Sequence, residues 1–329
     1  MDNEIKDNRR DVMGAPGRRS FQEVEKLEIT FVTDNYSDAL RPDTPIGTRY
    51  RTAPNASIHA EHGLSYFVRT HTDRGTSTLM FDYGQDGRGV LNNMGLLDID
   101  PGSIGAWALS HGHFDHWGGL VDILKGRSPA TRRKTPLYVG KEAFAHRYAR
   151  PPGNGEPRDL GRLDREAIES LKVSIVEIDE PTEAVPGAYL TGTIGRVTEY
   201  EQVPAVFLVE RQGRLEHDQF PGEQAFVFVV KDRGLVVLSG CAHGGIINTV
   251  KHAMRMTGAT HLHALIGGFH LVNAPEEQIE ATVADILAMA PDYVVPAHCT
   301  GFEAVTRIRE EMAGQFLLNT AGTTYVLGG

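Results

Sequence analysis

Apolar residues fall at alternate positions from Leu27 onward, in Glu28-Ile29-Thr30-Phe31-Val32. This period of two predicts a strand that stops in the turn-forming run Thr33-Asp34-Asn35-Tyr36. Two more strand-like runs, 61–68 and 77–84, flank the charged turn Asp73-Arg74-Gly75 and predict a hairpin. Residues 104–109 are apolar without a break, as in a buried strand; 120–124 continue as a helix and 136–139 return to strand. A helix is expected over 141–148. From 149 to 162 the chain turns rich in Pro, Gly and charge, which predicts a long exposed loop of the kind that serves as a lid or substrate loop. The short apolar runs 173–178, 205–209, 225–230 and 235–238 suit an antiparallel meander. Beyond them, helical spacing marks 248–256, 275–289 and 302–312, with strands over 262–266 and 293–297 and a closing strand over 316–327.

Strands alternating with helices predict an α/β fold. The 329 residues read as one domain, 27–329, behind a leader, 1–26. Its mixed charge and its Gly14, Pro16 and Gly17 suit a flexible segment or an arm over a neighbouring subunit of a homo-oligomer. The balance of 33 basic against 43 acidic residues, a formal charge of -10, argues against nucleic acid or an acidic membrane surface as a general partner. A local basic pocket for one phosphate is compatible with it. Two cysteines, Cys241 and Cys299, are too few for a disulfide framework, so a reducing, cytoplasmic setting is expected. No run is long and apolar enough to span a membrane.

The candidate chemistry begins right after the buried strand at 104–109, in Ser110-His111-Gly112-His113-Phe114-Asp115-His116-Trp117-Gly118-Gly119-Leu120. Three of the chain's 14 histidines and one carboxylate fall within six residues, a density that packing alone does not call for. In an extended segment residues two apart point the same way, so His111 and His113 can present nitrogens to one cation. Asp115 and His116 follow after the chain has turned and suit a second. Imidazole with carboxylate favours zinc, with iron and manganese as alternatives, over calcium or magnesium. Three later segments also carry donors at strand ends: Ser239-Gly240-Cys241-Ala242-His243, Gly267-Gly268-Phe269-His270-Leu271, and Pro296-Ala297-His298-Cys299.

The His-x-His-x-Asp-His signature after a strand resembles the metallo-β-lactamase fold superfamily. The wording around it is most similar to the branch of the 7,8-dihydropterin-6-methyl-4-(β-D-ribofuranosyl)aminobenzene 5'-phosphate synthase-like metallohydrolases. The resemblance runs from about Leu27 to the C-terminus and implies a four-layer αβ/βα sandwich with the site at one edge. It makes 27–329 a metallo-β-lactamase-like catalytic domain. It implies that Asp82 supports the metal-site loop by hydrogen bonding, that the Asp34-Asn35 loop lies near the site, and that His298 is a metal ligand. In most of the superfamily a His-Thr-Pro-Gly-like turn supplies a further ligand. That turn is absent here, where Glu216-His217-Asp218-Gln219-Phe220-Pro221-Gly222-Glu223-Gln224 stands. His217 is near enough in sequence to be considered, and His243 is the stronger candidate to supply the missing nitrogen. Cys241 corresponds to the bridging ligand, either as a thiolate or as a small buried apolar residue. His270 faces the site by the same resemblance, to protonate a leaving group or hold a phosphate, or else it only packs. His62 is either a packing residue at a strand start or a residue at the mouth of the site. Cys299 is expected to point away from the site. His252, His261 and His263 are read as structural.

The function expected from these readings is a dinuclear metal-dependent hydrolase with two divalent ions, zinc ahead of iron or manganese. His111, His113 and His243 would hold one ion; Asp115, His116, His298 and Cys241 the other. Zinc lowers the pKa of bound water to about 7, so hydroxide is available for attack on an ester, lactone, amide or phosphoester. Asp115 would orient the water and His270 would act as the acid. The partner is a small-molecule substrate, phosphorylated ones included. Two alternatives use the same fold: a synthase joining a phosphoribosyl compound to a pterin, and a non-enzymatic metal-binding or regulatory protein.

Overall fold

The computed structural model describes residues 20–128, 134–151, 153 and 155–329. Two large sheets face each other. The first has eight strands in the order Val173–Glu177, Thr135–Val139, Ala106–Ala108, Gly75–Tyr83, Ser65–Thr72, Lys26–Thr33, Thr323–Gly328 and Gly47–Arg49. The second runs Thr182–Val185, Ala188–Leu190, Phe226–Val230, Gly234–Ser239, Leu262–Gly268 and Tyr293–Ala297, with Glu23–Val24 added beside Phe226–Val230.

Side chains on a strand alternate between faces, and here each face meets a different core. Ile29, Phe31, Tyr66, Val68 and Phe81 turn inward against Phe226, Phe228, Val236, Leu238 and Ile266 of the opposite sheet. Val32, Phe67 and Met80, one position along the same strands, turn outward. There they pack under the helices Gly87–Leu96, Leu120–Gly126 and Arg165–Ser170. On the other side Val227, Leu235 and Val237 pack under Ile246–Thr257, Glu276–Met289 and Phe302–Glu311. Strands buried on both faces read as unbroken apolar runs, which is why 226–230 and 235–238 show no polar alternation. The result is the four-layer αβ/βα sandwich. No helix among the described residues is long and apolar enough to cross a membrane.

Four expectations need correction. Residues 141–148 do not form a helix, because Glu142 adopts a left-handed φ of 61° and the chain enters the strand Arg147–Ala149. The buried Arg147 guanidinium takes up the Glu142 and Ala145 carbonyls that a helix would have used. The stretch 149–162 is not all loop: Arg158–Gly161 pairs with Arg147–Ala149 in a four-stranded sheet completed by Phe207–Arg211 and Arg214–His217. Residues 152 and 154 of that stretch lie outside the described residues. The meander dissolves too, since Val173–Glu177 runs parallel to Thr135–Val139 in the other sheet, leaving Phe226–Val230 and Gly234–Ser239 as its hairpin. Finally, residues 1–19 of the expected leader lie outside the described residues, but Glu23–Val24 pairs with Val229–Val230 and Val24 is fully buried. Folded structure therefore starts before residue 27.

The strands Ala106–Ala108, Gly234–Ser239, Leu262–Gly268 and Tyr293–Ala297 each end in a loop bearing histidine or cysteine. Their carboxyl ends converge, the position where open α/β sheets usually place ligands.

Candidate metal centre

Asp82 closes the strand Gly75–Tyr83 with a left-handed φ of 58°, and its carboxylate organises the loop that follows Ala106–Ala108. One oxygen accepts from the Ser110 backbone N–H at 2.8 Å. The other accepts from the Ser110 hydroxyl at 2.7 Å and from His116 Nδ1 at 2.6 Å. A carboxylate only accepts, so the proton of His116 sits on Nδ1 and its Nε2 is left bare, 3.1 Å from Cys241 Sγ. The Ser110 oxygen, having given its proton to Asp82, accepts from His111 Nδ1 at 2.9 Å, which bares His111 Nε2 in turn. His113 then caps the short helix Phe114–Trp117, whose first turn presents Asp115 and His116. Gly112 has no substitute in this loop: a Cβ there would lie 2.0 Å from an Arg147 nitrogen and 2.7 Å from the Ala143 carbonyl.

The turn after Gly234–Ser239 carries Cys241 and His243. Buried Glu223 anchors it by accepting the backbone N–H groups of His243 at 2.7 Å and Gly244 at 2.6 Å. Phe220 lies flat against the His243 ring, centroids 3.9 Å apart and planes 5° from parallel. At the end of Tyr293–Ala297, the His298 N–H donates to Asp34 at 2.9 Å. The Asn35 side chain grips the same residue twice, donating to its carbonyl at 3.1 Å and facing its Nδ1 with the amide oxygen at 3.2 Å. That contact puts the proton on Nδ1. His298 Nε2 is buried, hydrogen-bonded to nothing, and 3.3 Å from an Asp115 oxygen.

These loops produce two adjoining donor sets. Nitrogens of His111, His113 and His243 lie within 4.8 Å of one another, as do the donors of Asp115, His116 and His298. Cys241 groups with His111 and His116, and also with His243 and His270, so it stands between the sets. Burial, reinforced by neighbouring positive groups, holds His111 and His243 well below the usual imidazole range, and burial does the same for His113. All three are neutral, with lone pairs to offer. Burial opposes charge on His298 as well, but the Asp115 carboxylate 3.3 Å away and the neighbouring Cys299 raise it to about 9.

The donors fit a cation. His111 Nε2 and His243 Nε2 face each other at 3.2 Å, although His111 has its proton on the other nitrogen. His243 Nδ1 and His298 Nε2 are buried without partners. Buried polar atoms are nearly always satisfied, so such a set marks a position for an ion. Imidazole, carboxylate and thiol together suit zinc, iron or manganese.

Every residue expected at the site comes to it: His111, His113, Asp115, His116, Cys241, His243, His270 and His298. His270 packs beside His243, ring centroids 4.0 Å apart, with a buried, unpartnered Nδ1. His62 takes the mouth, its side chain 63% exposed, stacked on His298 with Nε2 3.5 Å from Asp115. His217 has both ring nitrogens engaged elsewhere, by the Pro204 carbonyl and Gln219. His261 and His263 bind Asp292, and His252 faces the Thr191 carbonyl. Cys299 corrects an expectation, because it turns toward Cys241 instead of away. Glu223, Phe207 and Phe220 were not anticipated. The one available signal was an acid next to a buried strand, in Phe220-Pro221-Gly222-Glu223-Gln224.

The sequence profile of the Metallo-beta-lactamase superfamily matches residues 60–298, more than half of the chain. The chain belongs to the metallo-β-lactamase superfamily. This is a superfamily of metal-dependent enzymes. The chain is 31% identical over 265 residues to a 7,8-dihydropterin-6-methyl-4-(beta-D-ribofuranosyl)-aminobenzene-5'-phosphate synthase of Methanocaldococcus jannaschii, covering 80% of this chain and 88% of that protein. It is 29% identical over 258 residues to an uncharacterized protein of the same organism, covering 76% and 88%. Among solved structures, it resembles a metal-dependent hydrolase of the β-lactamase superfamily with a TM-score of 0.71 and 26% identity, across 92% of this chain and all 100% of that one.

Proposed function

We propose that the chain is a dinuclear metal-dependent hydrolase. The observation that carries the reading is the pair of adjoining donor sets, with Cys241 between them. His111, His113 and His243 hold one divalent ion; Asp115, His116, His298 and Cys241 hold the other. Zinc is the first choice. Such ions, when bound, supply Lewis acidity and water that ionises near neutral pH.

The remaining work falls to side chains. Asp115 directs the attacking water by accepting its proton at a carboxylate oxygen. His270, whose Nδ1 is buried without a partner, protonates the leaving group. Phe207 closes one wall, its ring 5.1 Å from those of His113 and His243 and 5.4 Å from that of His270, and keeps bulk water from the reacting atoms. His62 meets the substrate at the mouth. The substrate is a small ester, lactone, amide or phosphoester, and the 0.71 TM-score to a metal-dependent hydrolase supports the reaction class.

A panel of phosphoesters, lactones and amides tests the reading. Turnover of one class is expected, lost on chelation and restored by zinc or iron(II). His270→Ala should lower kcat by about 100- to 10,000-fold with metal content unchanged. A second reading, a synthase joining a phosphoribosyl compound to a pterin, is favoured by the 31% identity to a protein so named. Metal-dependent condensation of those two substrates, with no hydrolysis across the panel, would decide for it.

A further inference from the structure

The second buried thiol has no role in the site as described. Cys299 follows His298 in the 3-10 turn His298–Thr300. Had the strand simply continued, successive side chains would have pointed to opposite faces and Cys299 would have left the site. Instead His298 takes a left-handed φ of 50°, and the turn brings the thiol back beneath the sheet ends. Cys241 stands beside a second residue of this kind, Ala242, with φ 59°. A non-glycine residue held in that region is strained, and such residues gather at functional sites.

The space for the sulfur is also reserved. A Cβ on Gly268 would lie 2.8 Å from Cys299 Sγ and 3.3 Å from Cys241 Cα. Both cysteines are buried, and the Cys299 thiol makes a long hydrogen bond, 3.6 Å to the Cys241 carbonyl. The two sulfurs and a His298 nitrogen lie within 4.8 Å of one another, and His298 Nε2 has no partner. Thiols are weak hydrogen-bonding groups, so as hydrogen bonds this arrangement is poor. As thiolates they are strong ligands for zinc and iron.

We propose that Cys299 is a metal ligand, which with Cys241 and His298 makes the second cation position a dithiolate site. Each thiol gives its proton to solvent as its sulfur binds, and the position selects zinc or iron(II) over manganese or magnesium. The proposal rests on the two-ion reading and extends it.

X-ray absorption at the zinc edge of the zinc-loaded full chain tests it, with zinc content measured on the same sample. Two thiolates on one of the two ions give a sulfur shell at about 2.3 Å averaging about one sulfur per zinc. Cys299→Ser should halve that average while the chain keeps about two zinc equivalents. A wild-type average of about half a sulfur per zinc means Cys241 alone binds, and overturns the proposal while leaving the two-ion reading intact. A sulfur shell unchanged in Cys299→Ser does the same. A chain that binds no zinc overturns both. If Cys299→Ser does not fold, Cys241→Ser decides: about half a sulfur per zinc, left by Cys299, is expected, and loss of the whole sulfur shell overturns the proposal.

Discussion

Packing keeps His111, His113 and His243 in place: Phe220 lies flat on His243 at 3.9 Å and meets the other two rings edge-on, with Phe207 against His113 and His243. Asp115, His116 and His298 are set differently. His116 is held by the buried hydrogen bond it donates to Asp82, and His298 by those it donates to Asp34 and Asn35. A ring contact is worth about 0.5–1.5 kcal/mol beyond its area and sets the plane of an imidazole. A hydrogen bond to a charged group is worth about 1.5–3 kcal/mol and also decides which nitrogen is bare. In the first half only His111 is also held by a hydrogen bond, to Ser110, and the other two rings are open to repacking; in the second, His116 and His298 are fixed in protonation as well as position.

Removing the packing has the largest expected effect. Phe220→Ala should destabilise the metal-free chain by about 3–5 kcal/mol in denaturant titrations and weaken the first cation position. If the second position weakens instead, the division between the halves is wrong. Asp82→Ala attacks the other half, and should lower affinity at the second position by about 10- to 100-fold in chelator competition, with a smaller loss at the first, which Asp82 reaches only through Ser110 and His111. Equal losses at both positions would mean that Asp82 supports the loop as a whole.

The most gradual effect is a slope. Burial raises the Glu223 carboxyl from its ordinary 4.5 to about 7, against the two backbone N–H groups it accepts. The folded chain then binds more protons than the unfolded chain between those values. Metal-free stability should fall as pH rises from 4.5 to 7, by at most about 1.4 kcal/mol per pH unit from this group, and level off above 7. Glu223→Gln should flatten the slope. A slope that survives belongs to another group.

Legibility from sequence follows spacing along the chain and not the division into halves. His111, His113, Asp115 and His116 fall within six residues, so their spacing alone announces them. His298 and Cys241 were found as donors at the ends of apolar strands, aided by the family resemblance. What escaped depends on distance along the chain and on backbone handedness. Glu223 serves a turn 20 residues away, and Phe207 reaches the site through a four-stranded sheet that the apolar pattern read as meander, helix and loop. Cys299 was assigned to the wrong side because period-two reasoning assumes extended backbone, and His298 leaves it. The double-faced strands were easy to place because burial on both sides leaves a continuous apolar run.

Elemental analysis of chain purified without added metal tests the central claim most directly, alongside His243→Ala. The account predicts about two equivalents of zinc, iron or manganese in the wild type and about one in the variant. One equivalent or none in the wild type, unchanged by His243→Ala and not restored by added metal, would contradict it.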